Sequence, residues 1–284
     1  MILRIAGYFS YLRKLLGFRA AAVFSAYYVF YKSRILRPKF YRIPVGPINF
    51  HFTSVKQFAG LFAEIFFKEY YYLEKTDLPI ETIDCGANIG VSLLYIKLMA
   101  PKARVKCFEP NPAALAVLKE NIKENGWEKE VSAYPYALAK TKGGADFFIE
   151  RDEKTSYGAS LFEYMAGKRP LVSFAVNTDC LSNYVMGPVD FLKMDIEGGE
   201  FDVLEDLSEK NKMADISKIQ LEYHYNPEFS RRSLAEMLKF LESAGFRTTV
   251  KATKEPHSVI GKDSPHAYMV YAWRQERYST PKNG

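Results

Sequence analysis

IDCGANIG, residues 83–90, joins a short apolar run to a stretch with helical spacing of its apolar residues. Gly86 and Gly90 permit a tight turn and a close approach of the backbone to a ligand. The run before the loop predicts a strand over 79–84, and the spacing after it predicts a helix over 88–99. A helix that starts there offers free N–H groups and a partial positive charge to an anionic group. The segment therefore predicts the strand, loop and helix of an α/β ligand-binding fold.

Outward from this loop, apolar runs alternate with helical patterns, as in a parallel sheet. Five core strands and a terminal pair predict an α/β, Rossmann-like fold with a mainly parallel seven-stranded sheet flanked by helices. Residues 1–77 are predicted as a basic, aromatic helical extension with a short hairpin near 40–52, and 78–284 as the main domain, with an insertion near 143–177. The predicted core strands are 79–84, 104–109, 131–137, 189–195, 216–222, 246–250 and 266–273.

Acidic residues at the strand ends distinguish the loop from a nicotinamide site. A GxGxxG loop would bind a pyrophosphate, whereas this loop begins with Asp84, which suits a ligand that carries an ammonium and a sulfonium. Glu109 ends the next strand, where an acid can accept hydrogen bonds from both ribose hydroxyls. We therefore predict S-adenosylmethionine as the cofactor. Its predicted binding residues are Asp84, Gly86, Ala87, Asn88, Gly90, Glu109 and Asp195.

Two further strand ends carry candidate catalytic residues. DFLKMDIEGGE, residues 190–200, places Asp195 and Glu197 at a glycine turn, and QLEYHY, residues 220–225, places Glu222 and His224 on one face of the next strand. Carboxyl ends of parallel strands line the ligand crevice. His224 is the favoured general base, with Asp195 or Glu197 second. These four side chains include ligands that suit Mg²⁺, but their spacing is not diagnostic, and no metal site is predicted.

DCGANIG, FEPNP at 108–112, LKMDIEGGE at 192–200 and LEYH at 221–224 together resemble the FkbM family of methyltransferases. The resemblance covers roughly residues 50–246 and leaves out the first 40. It implies S-adenosylmethionine-dependent O-methylation of hydroxyls on sugars, polyketides and related natural products. Asn88 stands where the common methyltransferase loop has glycine, which is typical of this family. The implied partner is a hydroxylated small molecule, sugar or glycolipid.

Charge is unevenly distributed along the chain. The net charge is +6, yet residues 1–63 contain ten Lys or Arg and no acid, which predicts an anionic neighbour for this segment. An uncharged stretch at 20–31 is too short to span a bilayer. Peripheral contact with an anionic membrane through residues 1–63 is therefore one interpretation. Three cysteines without paired spacing favour a reducing compartment, and the predicted localisation is cytoplasmic, with or without that surface contact.

Three other functions are compatible with an α/β ligand-binding fold. Nucleic-acid base methylation would place an Asn-Pro-Pro-Tyr type motif after the fourth strand, where this chain has Asp195-Ile196-Glu197-Gly198, so no nucleic-acid partner is expected. An NAD-dependent oxidoreductase is disfavoured by the acid that opens the loop. A non-catalytic, cofactor-binding or membrane-associated scaffold that keeps the fold is the remaining alternative.

Overall fold

A computed structural model describes residues 41–151, 159–163, 170–225, 232–253 and 266–274, with the single positions 13 and 22. Most of the predicted amino-terminal arm and the interior of the predicted insertion, 152–158 and 164–169, lie outside the described residues. None of the helices in the described ranges has the length and apolar content needed to cross a bilayer.

The centre of the molecule is a seven-stranded sheet in the order β11-β12-β10-β9-β3-β4-β5. The five strands from β10 to β5 run parallel, and β12 pairs antiparallel with both β10 and β11. The predicted fold class is therefore confirmed. The strands of this sheet are β3 Glu81–Cys85, β4 Arg104–Phe108, β5 Val131–Tyr134, β9 Phe191–Met194, β10 Lys218–Tyr225, β11 Arg247–Ala252 and β12 His266–Trp273.

The third core strand is shorter than predicted. Instead of one strand over 131–137, the chain forms β5 as far as Tyr134 and then β6, Tyr136–Leu138, in a separate sheet. Pro135 lies between them, and a proline has no N–H to donate to a sheet ladder, so the pairing changes there. The separate sheet has the order β6-β8-β7, with β7 at Gly143–Glu150 and β8 at Leu171–Asp179. Strands β7 and β8 belong to the predicted insertion, whereas β6 precedes it.

Helices cover both faces of the central sheet. The helix after the glycine loop begins at Val91, not at residue 88, because Asn88 and Gly90 have φ values of 50° and 94°, which no right-handed helix accommodates. Asn111 caps the following helix, and Ser233 and Glu236 form a capping box on the last one. The helices are α1 Val55–Phe62, which continues as a π-helix over Ala63–Phe67, α2 Val91–Met99, α3 Pro112–Glu124, α4 Glu200–Glu209 and α5 Leu234–Ser243.

The amino-terminal hairpin is built into the main domain. Strands β1, Tyr41–Val45, and β2, Ile48–Phe52, form the predicted hairpin. Two asparagines bind its backbone as a neighbouring strand would: Asn125, the C-cap of α3, exchanges hydrogen bonds with the backbone of Asn49, and Asn121 of α3 does so with His51. The hairpin and α1 share one hydrophobic cluster with α2 and α3. The described part of the predicted extension therefore has no separate core.

Strand order reverses at β3, which lies between β4 and β9. In open α/β sheets the crevice outside the carboxyl ends of the strands at such a point binds the ligand. The ligand site is therefore expected at the loops that follow β3, β4, β9 and β10.

Candidate functional site

A cleft opens at this point of the sheet, with about 880 Å³ of space that includes solvent at its mouth. Three parts of the chain line it: the strand-end loops, the segment after α1, and the β6–β8 insertion. The polar and charged lining residues are Glu64, Tyr70, Tyr71, Asn88, Ser92, Glu109, Tyr136, Lys193, Asp195, Glu197 and Glu222.

The glycine loop is fixed to its neighbouring strands by its own backbone. The N–H groups of Gly86 and Ala87 both donate to the carbonyl of Phe108, at 3.0 Å. Gly86 has a φ of 77°, and a Cβ atom placed on it would lie 1.8 Å from the Asp195 carbonyl oxygen. Only glycine therefore allows the loops after β3 and β9 to lie this close together.

Asp84 is fully buried and does not line the cleft. Its carboxylate accepts a hydrogen bond from Ser92 and lies 3.2 Å from the Lys193 ammonium. Burial lowers the pKa of Lys193, but the charge of Asp84 raises it, and the net direction is upward. The same ammonium donates to the carbonyls of Cys85 and Gly86. Asp84 thus acts on the loop through Lys193 from behind the cleft lining.

Glu109 lines the cleft as predicted, with both carboxylate oxygens held in place. Oε2 accepts from the Asn88 N–H and Oε1 from the Asn111 N–H, each at 2.8 Å. Burial raises the pKa of Glu109 to about 7, although these two hydrogen bonds oppose the shift. A carboxylate has about four acceptor positions. Two therefore stay open to the cleft, which fits a ligand with two adjacent hydroxyls.

Asn88 has the backbone conformation that glycine usually supplies. Its φ is 50°, and its side-chain oxygen accepts hydrogen bonds from Gln57 Nε2 and from the Ile89 N–H. Asparagine is among the few residues that adopt this region readily. The loop therefore keeps its shape without a third glycine. Gly90 has a structural role, since a Cβ atom there would lie 2.8 Å from the Leu118 side chain, and it does not line the cleft.

His224 lies behind the rim with a carboxylate at each ring nitrogen. Nδ1 is 2.9 Å from Glu200 Oε1, and Nε2 is 3.1 Å from Glu197 Oε2. Burial lowers the pKa of His224, but the charges of Glu197 and Glu200 outweigh it and raise the pKa well above its usual value. His224 does not line the cleft, and its role as the general base stays a prediction.

Acidic side chains are concentrated on this side of the cleft. Burial raises the pKa of Glu197 to about 7 and that of Glu222 to about 8, and the charge of Asp195 adds to both shifts. Glu64, also in the cleft wall, has a raised pKa for the same first reason, and its carboxylate is 3.6 Å from the Lys68 ammonium. Among the described residues, few cationic side chains lie here, so acidic side chains outnumber cationic ones on this side of the site.

In the described part of the insertion, Ser160 contacts this acidic side. Ser160 is fully buried, exchanges backbone hydrogen bonds with Phe148 of β7, and donates from Oγ to the Glu197 carbonyl at 2.6 Å. Glu197 itself has a φ of 57°, so Ser160 supports its left-handed conformation. Sequence reasoning missed Glu64 and Tyr71, which enter the cleft from the predicted extension.

Comparisons with known proteins find a family match and several similar proteins. The family model for the Methyltransferase FkbM domain matches residues 84–248, more than half of the chain. Methyltransferase sdnD from Sordaria araneosa is 25% identical over 197 residues, which are 60% of this chain and 76% of that protein. Methyltransferase 1 from Beauveria bassiana is 24% identical over 187 residues, 60% and 73% respectively. The crystal structure of precorrin-6y C5,15-methyltransferase from Geobacter metallireducens superposes with a TM-score of 0.41 and 14% identity, covering 79% of this chain and 90% of that one.

Proposed function

The chain belongs to the FkbM methyltransferase family, and from this premise we propose that it transfers a methyl group from S-adenosylmethionine to a hydroxyl oxygen. The proposed acceptor is a sugar, a glycolipid or a natural product of similar chemistry. The observation that carries the proposal is one cleft lined both by Glu109 and the glycine loop, which suit a cofactor, and by Asp195, Glu197 and Glu222, which suit an acceptor.

The cofactor side suits an adenosyl ligand. Glu109 has two acceptor positions left for the ribose hydroxyls, and the glycine loop brings the backbone close to the ligand. When bound, S-adenosylmethionine supplies a methyl carbon activated by a sulfonium for in-line displacement. Among the predicted binding residues, Gly86, Ala87, Asn88, Glu109 and Asp195 line the cleft, whereas Asp84 and Gly90 support it from behind.

The acceptor side suits a neutral hydroxyl compound. Carboxylates orient a hydroxyl by accepting its hydrogen bond, and alignment of the oxygen with the methyl carbon and sulfur supplies most of the rate gain. Glu222 lines the cleft and has no cationic partner within hydrogen-bonding distance among the described residues. We assign its deprotonated form, which predominates above its pKa of about 8, as the group that receives the hydroxyl proton while the new C–O bond forms and the methyl–sulfur bond breaks. His224 orients Glu197 in this scheme. The scaffold alternative gains no support from the site.

Calorimetric titration with S-adenosylmethionine tests the cofactor side. We expect saturable binding by the wild-type chain and about tenfold weaker binding by Glu109→Gln, because a neutral amide is a poorer acceptor for the ribose hydroxyls. Since the pKa of Glu109 is about 7, wild-type affinity should rise as the pH increases through 7, whereas the variant should show no such rise. Glu128→Gln, at an exposed position, is the matched control.

Transfer of a labelled methyl group then tests the acceptor side with a panel of sugars, glycolipids and hydroxylated natural products. An alkali-stable methyl ether identifies O-methylation. Equal cofactor affinity in the wild type and Glu109→Gln would contradict the assigned cofactor side. Transfer to amines alone would contradict the hydroxyl acceptor.

A further inference from the structure

Three side chains on the acidic side of the cleft converge as metal ligands do. One potential ligand atom each from Asp195, Glu197 and His224 lies within 4.8 Å of the other two. His224 Nε2 and Glu197 Oε2 are 3.1 Å apart. Metal–ligand bonds of about 2.1 Å at right angles place neighbouring ligand atoms roughly 3 Å apart. The spacing of this pair therefore fits two ligands of one ion.

Glu200 supports His224 in the way that metal-binding histidines are commonly supported. Its Oε1 lies 2.9 Å from His224 Nδ1 and also accepts from the Gly198 N–H. A hydrogen bond from Nδ1–H to a buried carboxylate fixes the ring and leaves Nε2 as the ligand atom. Glu200 is fully buried at the start of α4, so its position is set by the fold.

A buried polar group outside the cluster also faces it. The Tyr71 side chain is 4% exposed and lines the cleft, and its hydroxyl lies within hydrogen-bonding reach of the Asp195 carboxylate. Tyr71 therefore contacts one ligand residue of the cluster, as Glu200 contacts another.

We propose that Asp195, Glu197 and His224 bind one divalent transition-metal ion, with Glu200 as the positioning residue for the histidine. An imidazole together with two carboxylates suits Mn²⁺, Fe²⁺, Co²⁺ or Zn²⁺ better than Mg²⁺ or Ca²⁺, which prefer oxygen ligands only. The proposal rests on the proposed function for its role. There the ion binds the acceptor hydroxyl and lowers its pKa, and the released proton passes to Glu222.

Manganese binding by the full-length protein tests the site without any methyl acceptor. The chain is stripped with a chelator, transferred to chelator-free buffer and titrated with Mn²⁺, with free Mn²⁺ followed by electron paramagnetic resonance. We expect one Mn²⁺ per chain. Glu197→Gln and His224→Gln should each raise the Kd at least tenfold, and Glu200→Gln should raise it about 10- to 100-fold through loss of ring orientation. Glu209→Gln changes an exposed acid on the same helix as Glu200 and should bind as the wild type does.

Thermal melting and S-adenosylmethionine titration of the same samples separate loss of the site from loss of the fold. Folded wild-type protein that binds no Mn²⁺ at millimolar concentration would overturn the metal site, as would wild-type affinity in both Glu197→Gln and His224→Gln. If cofactor binding persists in that case, the proposed function stands without the ion. Stoichiometric Mn²⁺ binding without cofactor binding would instead support the site and overturn the proposed function.

Discussion

The loop after β3 and the loop after β9 face the same cleft and share a pattern, yet the carboxylates near them are balanced by cations to different degrees. Each follows a buried parallel strand, and each contains a non-glycine residue with positive φ, Asn88 in one and Glu197 in the other. Before the first loop, Asp84 at the end of β3 is neutralised by Lys193 of β9. In the second, Glu197 shares His224 with Glu200, and its pKa rises to about 7.

The first loop has its nearby charge balanced without a ligand, whereas the second does not. Buried carboxylates with matched donors hold a fixed shape, which suits recognition of a constant cofactor. Carboxylates with raised pKa values gain from a cation or a proton donor, which suits chemistry on an acceptor. The same strand-end pattern therefore serves two purposes within one cleft.

Gly86→Ala should have the largest effect, because it forces the two loops apart. The added Cβ would meet the Asp195 carbonyl at 1.8 Å, and the φ of 77° is unfavourable for alanine as well. We expect a loss of about 4 kcal/mol or more in the free energy of unfolding, or failure to fold, measured by urea denaturation.

Gly126→Ala is the matched control for this variant. Gly126 has a φ of 68° but no atom within 4 Å of an added Cβ, so its loss should be limited to about 1 kcal/mol of backbone strain. Equal losses in the two variants would mean that the loops do not depend on close contact at Gly86.

Lys193→Met should rank second, since it gives the first loop the charge imbalance of the second. Lys193 is 3% exposed and Asp84 is fully buried, so the carboxylate would be left without its cation. Removing one partner of a buried pair costs about 3–5 kcal/mol. The expected result is a loss of that size in urea denaturation at pH 7.

A double variant, Asp84→Asn with Lys193→Met, distinguishes charge from packing. The amide keeps a partner for Ser92 and removes the uncompensated charge, so part of the stability should return. A double variant no more stable than Lys193→Met would show that the lysine contributes by filling space.

The sequence was sufficient to predict the parts of the site that are local to strand ends. Asp195, Glu197 and Glu109 follow apolar runs, and parallel strand ends must meet at one edge of a sheet. The pairing of opposite charges across strands could not be predicted from the sequence. Lys193 lies within a strand whose residues are all buried, and only the register that places it opposite Asp84 explains its presence.

The contribution of the amino-terminal segment was equally hidden. Glu64 and Tyr71 belong to a segment with its own hairpin and helix, and its composition suggests an extension. Its attachment depends on Asn121 and Asn125, which hydrogen-bond the backbone of β2 from 70 or more residues away. Nothing in local spacing reveals such long-range contacts.

Asn88→Ala should have the smallest of the three effects, and it tests how each loop supports its residue with positive φ. Alanine loses the side-chain oxygen that accepts from Gln57 and Ile89 and is strained at a φ of 50°, so we expect a loss of about 1–2 kcal/mol in thermal or urea unfolding. Asn88→Gly removes the same hydrogen bonds but relieves the strain, so its loss should be about half as large. The first loop would then depend on its own side chain for its shape, in contrast to Glu197, whose backbone is held by Ser160 from the insertion. Equal stability of the wild type and both variants would show instead that the shape of the first loop is imposed by the neighbouring strands, and the contrast between the two loops would be reduced to charge alone.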